Sequence, residues 1–462
     1  MSESTARLID LCRHRLTARI DARALGAATQ CLVDSLGAAF AAYGEAPIDV
    51  LRELDVAGAP GPSTVIGHGD RGRPADVALV NGTMISLQLF DDNQAQMRGH
   101  PSGPLLPAVL ALAEQQDLTI RAALEAFVIG YEMECRFGTL LNPSHYEVGW
   151  HATATQGTLA AVVASSLILG LDDQAMAHAL GISASLAGGV RRNFGTMTMS
   201  LHSGLAASNG VRAAQMASRG FTADPRIFDG PMNFGAVFSR EWTDKLLEDN
   251  LDKWGDPFMI VSPGPTFKLY PCGRPPLFAV DCVVDLQRLH GVTAGQIKRI
   301  RCEASYMYPR TLIHSRPGNG LQGKTSLEYC VATSFVDGRP TLASFTDEAV
   351  RRPEVLRLLD MIEVCVPPHL SEDVPAVRKA PFEQPVTVEV ESLDGQVFRV
   401  TTPIHKGSPE NPASDADLKQ KFLDCAGAHL GAARSEAVLD HIGRADGRVR
   451  DLMRSMIVDL AR

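Results

Sequence analysis

Four stretches of this 462-residue chain gather ionisable side chains among glycine, proline and small residues. The first, residues 90–104 (FDDNQAQMRGHPSGP), carries Asp91, Asp92, Asn93, Arg98 and His100. Imidazole is the side chain best suited to moving protons near neutral pH. His100 is therefore a candidate catalytic residue, with Asp91, Asp92, Asn93 and Arg98 as candidate substrate-binding groups. The second, residues 149–157 (GWHATATQG), sets His151 directly before an apolar helical run. The positive end of a helix dipole lowers a histidine's pKa, which suits a neutral general base. The third, residues 188–204 (GGVRRNFGTMTMSLHSG), offers Arg191 or Arg192 as a bidentate clamp for a carboxylate. Arg192 is the candidate chosen, and His202 is expected to begin the next helix. The fourth, residues 267–275 (FKLYPCGRP), places Lys268, Tyr270 and Arg274 at a domain junction, a common position for small-molecule clefts. Each residue also has a plainer reading, as a cap, a packed core histidine or a solvated cation.

The remaining motifs narrow the chemistry. There is no GxGxxG after a strand, no GxxxxGK[ST], no HExxH and no GxSxG. The adjacent Asp91 and Asp92 lack a second cluster of ligands, so no metal site and no cofactor are expected. The nine cysteines stand singly, without CxxC spacing, and read as buried thiols in a reducing cytoplasm. A formal net charge of −9, with no Lys/Arg-rich block, argues against nucleic acid as a partner. The opening MSESTARLIDLCRHRL mixes charges within its first turns, and the longest apolar run, 158–171, falls short of a membrane span. Neither a secretory signal nor a membrane anchor is expected.

The elements that must position these residues are mostly helical. Apolar residues recur at helical spacing over 22–43 and 75–88. Thr119 can cap a run to Leu141, and 157–171 is apolar on nearly every face, as befits the middle of a bundle. Residues 172–186 and 200–219 are rich in Ala, Gly and Ser, which permits close helix packing. Beyond Ser262 the pattern mixes periods. A helix is expected over 277–289, a strand over 297–304 and helices over 326–335 and 348–359. A hairpin is expected over 386–400 around Asp394-Gly395, and Ser414 with Asp417 starts a last helix. The fold class is therefore mainly α with a second, α+β domain. Residues 1–265 and 403–462 form the helical domain and 266–402 the smaller α+β lid.

Several stretches together resemble the MmgE/PrpD family: FDDNQAQMRGHPSGPLLPA, GWHATATQGTLAAV, GISASLAGGVRRNFGTMTMSLHSGLAASNGV, KLYPCG, LQGKTSLEYCVA and SPENPASDADLKQKFLDCA. The resemblance spans almost the whole chain. It implies a large helical domain formed from both chain ends, a smaller α+β domain closing over it, and a homodimer. It also implies metal-free acid–base chemistry on a small carboxylic acid, the expected partner. Carried over by position, His100, His151 and Lys268 match the family's motif residues. The departures are several. The first acid of a D-x-D-D-[TS] pattern is Leu89 and its hydroxyl is Asn93. The lysine of GTMTKPLH is Met199, the second cysteine of PCC is Gly273, and the histidine four residues on is Leu277. Ile313 lies near the position of a family tyrosine. Loss of an acid at 89 and a lysine at 199 removes opposite charges, which would balance if the two sites shared one pocket.

These readings lead to three functions. A lyase, dehydratase or decarboxylase, would use one histidine to move a proton α to a carboxylate while Lys268 or an arginine stabilises the developing charge. An epimerase would set His100 and His151 on opposite faces of one carbon. A non-catalytic paralogue would keep the fold alone.

Overall fold

The computed structural model describes residues 3–444 and 446–458. Its first part is a packed set of helices: α1 (Ala22–Phe40), α2 (Pro74–Leu87), α3 (Ser102–Gln115), α4 (Ile120–Leu141), α5 (Ala152–Ile168), α6 (Asp173–Leu186) and α7 (Met197–Ala217). Local hydrogen bonds mark several starts. Asp21 accepts from the amide of Ala24, Thr119 from Ala122 and Asp172 from Ala175, satisfying amides that the first helical turn leaves free.

α2, α3 and α5 are buried along nearly their whole length, and they pack against α7 and α4. Small residues make this density possible. A Cβ on Gly204 of α7 would sit 2.1 Å from the carbonyl oxygen of Leu79, and one on Gly82 of α2 would sit 2.8 Å from the Cα of Gly204. Gly210 meets Ala161 in the same way, at 2.4 Å. The Ala/Gly/Ser composition is thus the condition for bringing backbones together under the site.

The second part begins with α8 (Arg274–His290) and contains β1 (Ile297–Glu303), α9 (Leu327–Asp337), α10 (Pro353–Leu359), β2 (Ile362–Cys365), β3 (Val386–Ser392) and β4 (Val397–Thr402). The sheet order is β2-β1-β3-β4, with β1 parallel to β2 and the other pairs antiparallel. Val386, Val388 and Val390 alternate onto the buried face with Ile300 and Cys302, and α8 packs on β3 and β4. α11 (Asp415–Leu430) then leads the tail, opened by the expected box between Ser414 and Asp417.

Two apolar cores result. One joins residues between Leu8 and Phe267 to Ala413–Met456; the other contains Tyr146 and residues 270–390. The tail meets α1 directly, with Phe422 edge-on to Phe40 at 6.3 Å and Lys421 Nζ 2.7 Å from Asp34 Oδ1. No described helix is long and apolar enough to cross a membrane. All nine cysteines are free and eight are buried.

Three local expectations change. α5 starts at Ala152 rather than 157, which makes His151 its N-cap residue. α7 starts at Met197, so His202 lies within the helix instead of opening it. The helix expected over 348–359 is broken: a 3₁₀ turn, Ala349–Arg351, precedes α10, because Pro353 forces Arg352 into extended backbone (φ −61°, ψ 127°).

Candidate active site

Between the two cores lies a cavity of about 820 Å³, its mouth included. Leu89, Asp91, His100, His151 and Met199 wall it on the helical side; Arg274, Leu312, Thr325 and Phe382 wall it on the other. His100 reaches this wall from the loop 88–101 between α2 and α3, and its amide donates to Thr153 Oγ1 at 2.9 Å in the first turn of α5. Two helices and a loop thus fix one imidazole.

The ring's Nδ1 lies 3.0 Å from the carbonyl oxygen of Asp92 and 3.2 Å from Asp91 Oδ1. The Asp92 carbonyl can only accept, so Nδ1 carries the proton, with the Asp91 carboxylate facing the same nitrogen. Nε2 is left without a protein partner among the described residues and, in the neutral ring, keeps its lone pair. Asp91 is itself buried, which opposes ionisation. The charges of His100 and Lys268, with hydrogen bonds from His100 and Ser86, outweigh that penalty and hold its carboxyl well below the usual carboxylate range. Lys268 Nζ stands 3.6 Å from Asp91 Oδ1, 3.1 Å from the carbonyl oxygen of Leu89 and 3.5 Å from His100 Nδ1. Burial pulls the Lys268 pKa down, and Asp91 opposes that shift.

His151 forms a second unit with His202, their Nδ1 atoms 3.1 Å apart. One ring must donate and the other accept, so the tautomer of His151 at the cavity is tied to that of His202 behind it. Burial, then the neighbouring His202 and His100, drive the His151 pKa well below its ordinary value. Burial lowers His202 as well. His151 is thus held neutral.

Two cations complete the wall. Arg98 and Arg274 are 9% and 8% exposed, and neither forms an ion pair among the described residues. Arg274 Nη1 donates to the carbonyl oxygen of Phe382 at 2.8 Å, while its Nε and the Nη1 of Arg98 are buried without partners. No three described His, Cys, Asp or Glu side chains converge as a metal-binding set.

The family models for the MmgE/PrpD N-terminal domain and the MmgE/PrpD C-terminal domain match residues 8–246 and 270–442. The chain belongs to the MmgE/PrpD family. Its relatives include the cis-aconitate decarboxylase of Homo sapiens, 29% identical over 375 residues (78% of this chain, 74% of the relative). That of Mus musculus is 28% identical over 410 residues (85% and 80%), and one from Aspergillus terreus 26% over 423 residues (85% and 82%).

Within this MmgE/PrpD cavity the structure brings together His100, His151, Asp91, Asn93, Arg98 and Arg274. The other candidates lie elsewhere. Lys268, expected as a catalytic cation, is fully buried behind Asp91 and does not line the cavity. Asp92 turns inward, where its Oδ1 and Oδ2 accept from the amide and hydroxyl of Ser102 at 3.2 and 2.9 Å. Burial, with Asp34 and Asp91 nearby, raises its pKa to about 8. Tyr270 donates to Asp281 Oδ1 at 3.0 Å, away from the cavity. His202 does not line the cavity and stands behind His151. Arg192 is exposed, since neighbouring side chains on the turn at Arg191–Asn193 diverge. Arg191 is the inward one. Its guanidinium lies 3.7 Å over the Tyr146 ring and donates to the Tyr146 carbonyl oxygen (2.7 Å) and to Thr311 Oγ1 (3.0 Å), joining the helical side to the lid.

Among the departures from the family pattern, Leu89 and Met199 share the cavity, with Asn93 and Gly273. Leu277 instead fills the second core, and Ile313 is 46% exposed outside it. Sequence reasoning missed Ser86, Tyr146, Thr153, Phe194 and Phe382 as lining groups. Thr153 stood two residues from His151 in a stretch already marked; Phe382 had no local signal.

Proposed function

We propose that this MmgE/PrpD protein is a lyase that removes CO2 from a small unsaturated carboxylic acid, with His100 moving the proton. The observation that carries this reading is the His100 environment: Nδ1 is committed to Asp91 and the Asp92 carbonyl, and the ring meets the cavity. The names of its relatives, cis-aconitate decarboxylases at 25–29% identity, support decarboxylation over the other eliminations open to the same groups.

The carbon–carbon bond to one carboxylate breaks and CO2 leaves. The electron pair moves through the adjacent double bond, and the carbon at its far end takes a proton from His100 Nε2–H. Solvent replaces that proton, so the net reaction consumes one H⁺ per CO2. Asp91, held ionised, faces Nδ1 and supports the imidazolium that begins the step. Arg98 and Arg274 hold the remaining carboxylate and stabilise the charge that spreads toward it. His151, neutral through burial, lies on the same wall and orients the reacting portion. Lys268 sits behind Asp91 as a positioning residue.

The test is incubation with a panel of small alkenoic di- and tricarboxylates, cis-aconitate among them, scoring CO2 and the product by NMR. Turnover of at least one acid, lost in His100→Gln, is expected. No CO2 from any acid at high enzyme concentration would reject the reading.

A further inference from the structure

The cavity holds two unpaired cations together with a group of apolar side chains, and its carboxylate, Asp91, is already engaged by His100 and Lys268. Arg98 is nine-tenths buried with an orphaned Nη1, and its guanidinium lies 5.7 Å from the Tyr146 ring centroid. Arg274, equally buried, keeps a free Nε. A guanidinium remains charged in such surroundings, and a buried cation without an anion favours the binding of one. The backbone is also strained here. Leu89 and Arg98 are two of the four described non-glycine residues with positive φ, at +51° and +57°. Such residues cluster where a side chain must be held for function. Leu89, Met199, Phe194 and Leu312 then supply hydrocarbon surface to the same space, and none of them offers a hydrogen bond to an additional carboxylate.

We infer that this site selects an acid with a hydrocarbon arm: its carboxylates lie on Arg98 and Arg274, and its arm lies on Leu89, Met199 and Phe194. The inference deepens the lyase reading by naming the substrate class, and for turnover it rests on that reading. The hydroxyls of Ser86 and Ser200, which line the same space, already donate to Asp91 and to the Met197 carbonyl. A third carboxylate on the Leu89–Met199 wall would therefore lose its water without gaining a free donor, whereas each methylene placed there leaves water favourably.

Binding of unreactive saturated acids tests this without turnover. Succinate, 2-methylsuccinate, 2-propylsuccinate and tricarballylate are titrated calorimetrically into the wild-type protein. Affinity is expected to rise about fourfold per methylene, the ~0.8 kcal/mol of a buried CH2. Tricarballylate is expected to bind more weakly than 2-propylsuccinate. Arg98→Gln is expected to weaken all four by at least about tenfold. Met199→Lys reverses the order of tricarballylate and 2-propylsuccinate, and Met199→Leu preserves it. Tighter binding of tricarballylate to wild type, no binding of any acid, or affinities unchanged in Arg98→Gln would each overturn the inference. CO2 release from the unsaturated counterparts is scored separately. An alkyl preference in binding without any CO2 rejects the lyase reading alone; CO2 release with a tricarboxylate preference rejects this inference alone.

Discussion

Asp91 Oδ1 lies 3.2 Å from His100 Nδ1, whereas the carboxyl of the next residue, Asp92, is turned into the protein onto Ser102. Two acids adjacent in the chain therefore hold opposite states. Asp91 is kept ionised by the His100 and Lys268 charges, and Asp92, with a pKa of about 8, keeps its proton at neutral pH. The ionised one orients the imidazole, and the neutral one ties the amide end of α3 to the loop.

Asp91→Asn replaces an acceptor by an amide that can donate to Nδ1 and so impose the wrong tautomer. It is expected to lower kcat by about 10⁴-fold, the scale seen when a catalytic imidazole loses its orienting carboxylate. Asp92→Asn retains both contacts to Ser102, since an amide can accept from the Ser102 N–H and donate to its hydroxyl. Activity within about tenfold of wild type is expected. Steady-state kinetics of the two variants decide the matter, and equal losses would show that the two carboxyls are not differentiated.

His202 lies outside the cavity lining and touches His151 at 3.1 Å. His202→Leu removes the tautomer link and is expected to lower kcat by about 10- to 100-fold with KM within a few fold. His202→Asn, which can still hydrogen-bond Nδ1, is expected to recover most of that loss. ¹⁵N NMR of the His151 ring would report the tautomer directly, and an unchanged ring spectrum in His202→Leu would exclude the link.

The helix crossing beneath the site has its own test. A methyl at Gly204 would sit 2.1 Å from Leu79 O and 2.4 Å from Thr83 Oγ1. Gly204→Ala is expected to destabilise the fold by at least about 3 kcal/mol. Gly26 of α1 is exposed with nothing within 4 Å of its Cβ position, so Gly26→Ala is expected to stabilise by about 0.5–1 kcal/mol. Denaturant unfolding distinguishes the two signs.

Acid lability follows from His145, which is fully buried with a pKa lowered to about 3 by burial. The unfolded chain binds this proton near pH 6.5 and the folded one does not. The contribution to stability is therefore intact above pH 6.5 and declines as pH falls toward 3, by about 1.4 kcal/mol per pH unit. Wild type should lose about 2 kcal/mol more than His145→Gln between pH 7 and pH 5. Urea unfolding at the two pH values measures this difference, and parallel losses would contradict the burial argument.

Much of this architecture was legible in the chain because it is set by near neighbours. Thr119, Ser326 and the Ser414–Asp417 box cap their helices through contacts three residues apart, and the alternation of Val386, Val388 and Val390 is a property of one strand. The polar stretches around His100 and His151 were visible for the same reason. Orientation at single-residue resolution was not. Whether Asp91 or Asp92 faces the cavity, and whether Arg191 or Arg192 turns inward onto Tyr146, depends on how the loops meet α3, α5 and the second part of the fold. Lys268 and Tyr270 carry suitable groups in a suitable segment, yet Asp91 screens one and Asp281, on the following helix, engages the other. Leu89 and Met199, far apart in sequence, share a wall only because α2 and α7 cross so closely.

The central claim is that His100 delivers the proton that replaces CO2. It is tested most directly by turning over an accepted acid in D2O and following both CO2 and the product by NMR. The account predicts one CO2 and one carbon-bound deuterium per product molecule, no deuterium in recovered substrate, and loss of both signals in His100→Gln. Deuterium exchange into unconverted acid without CO2, or undiminished CO2 release by His100→Gln, would contradict it.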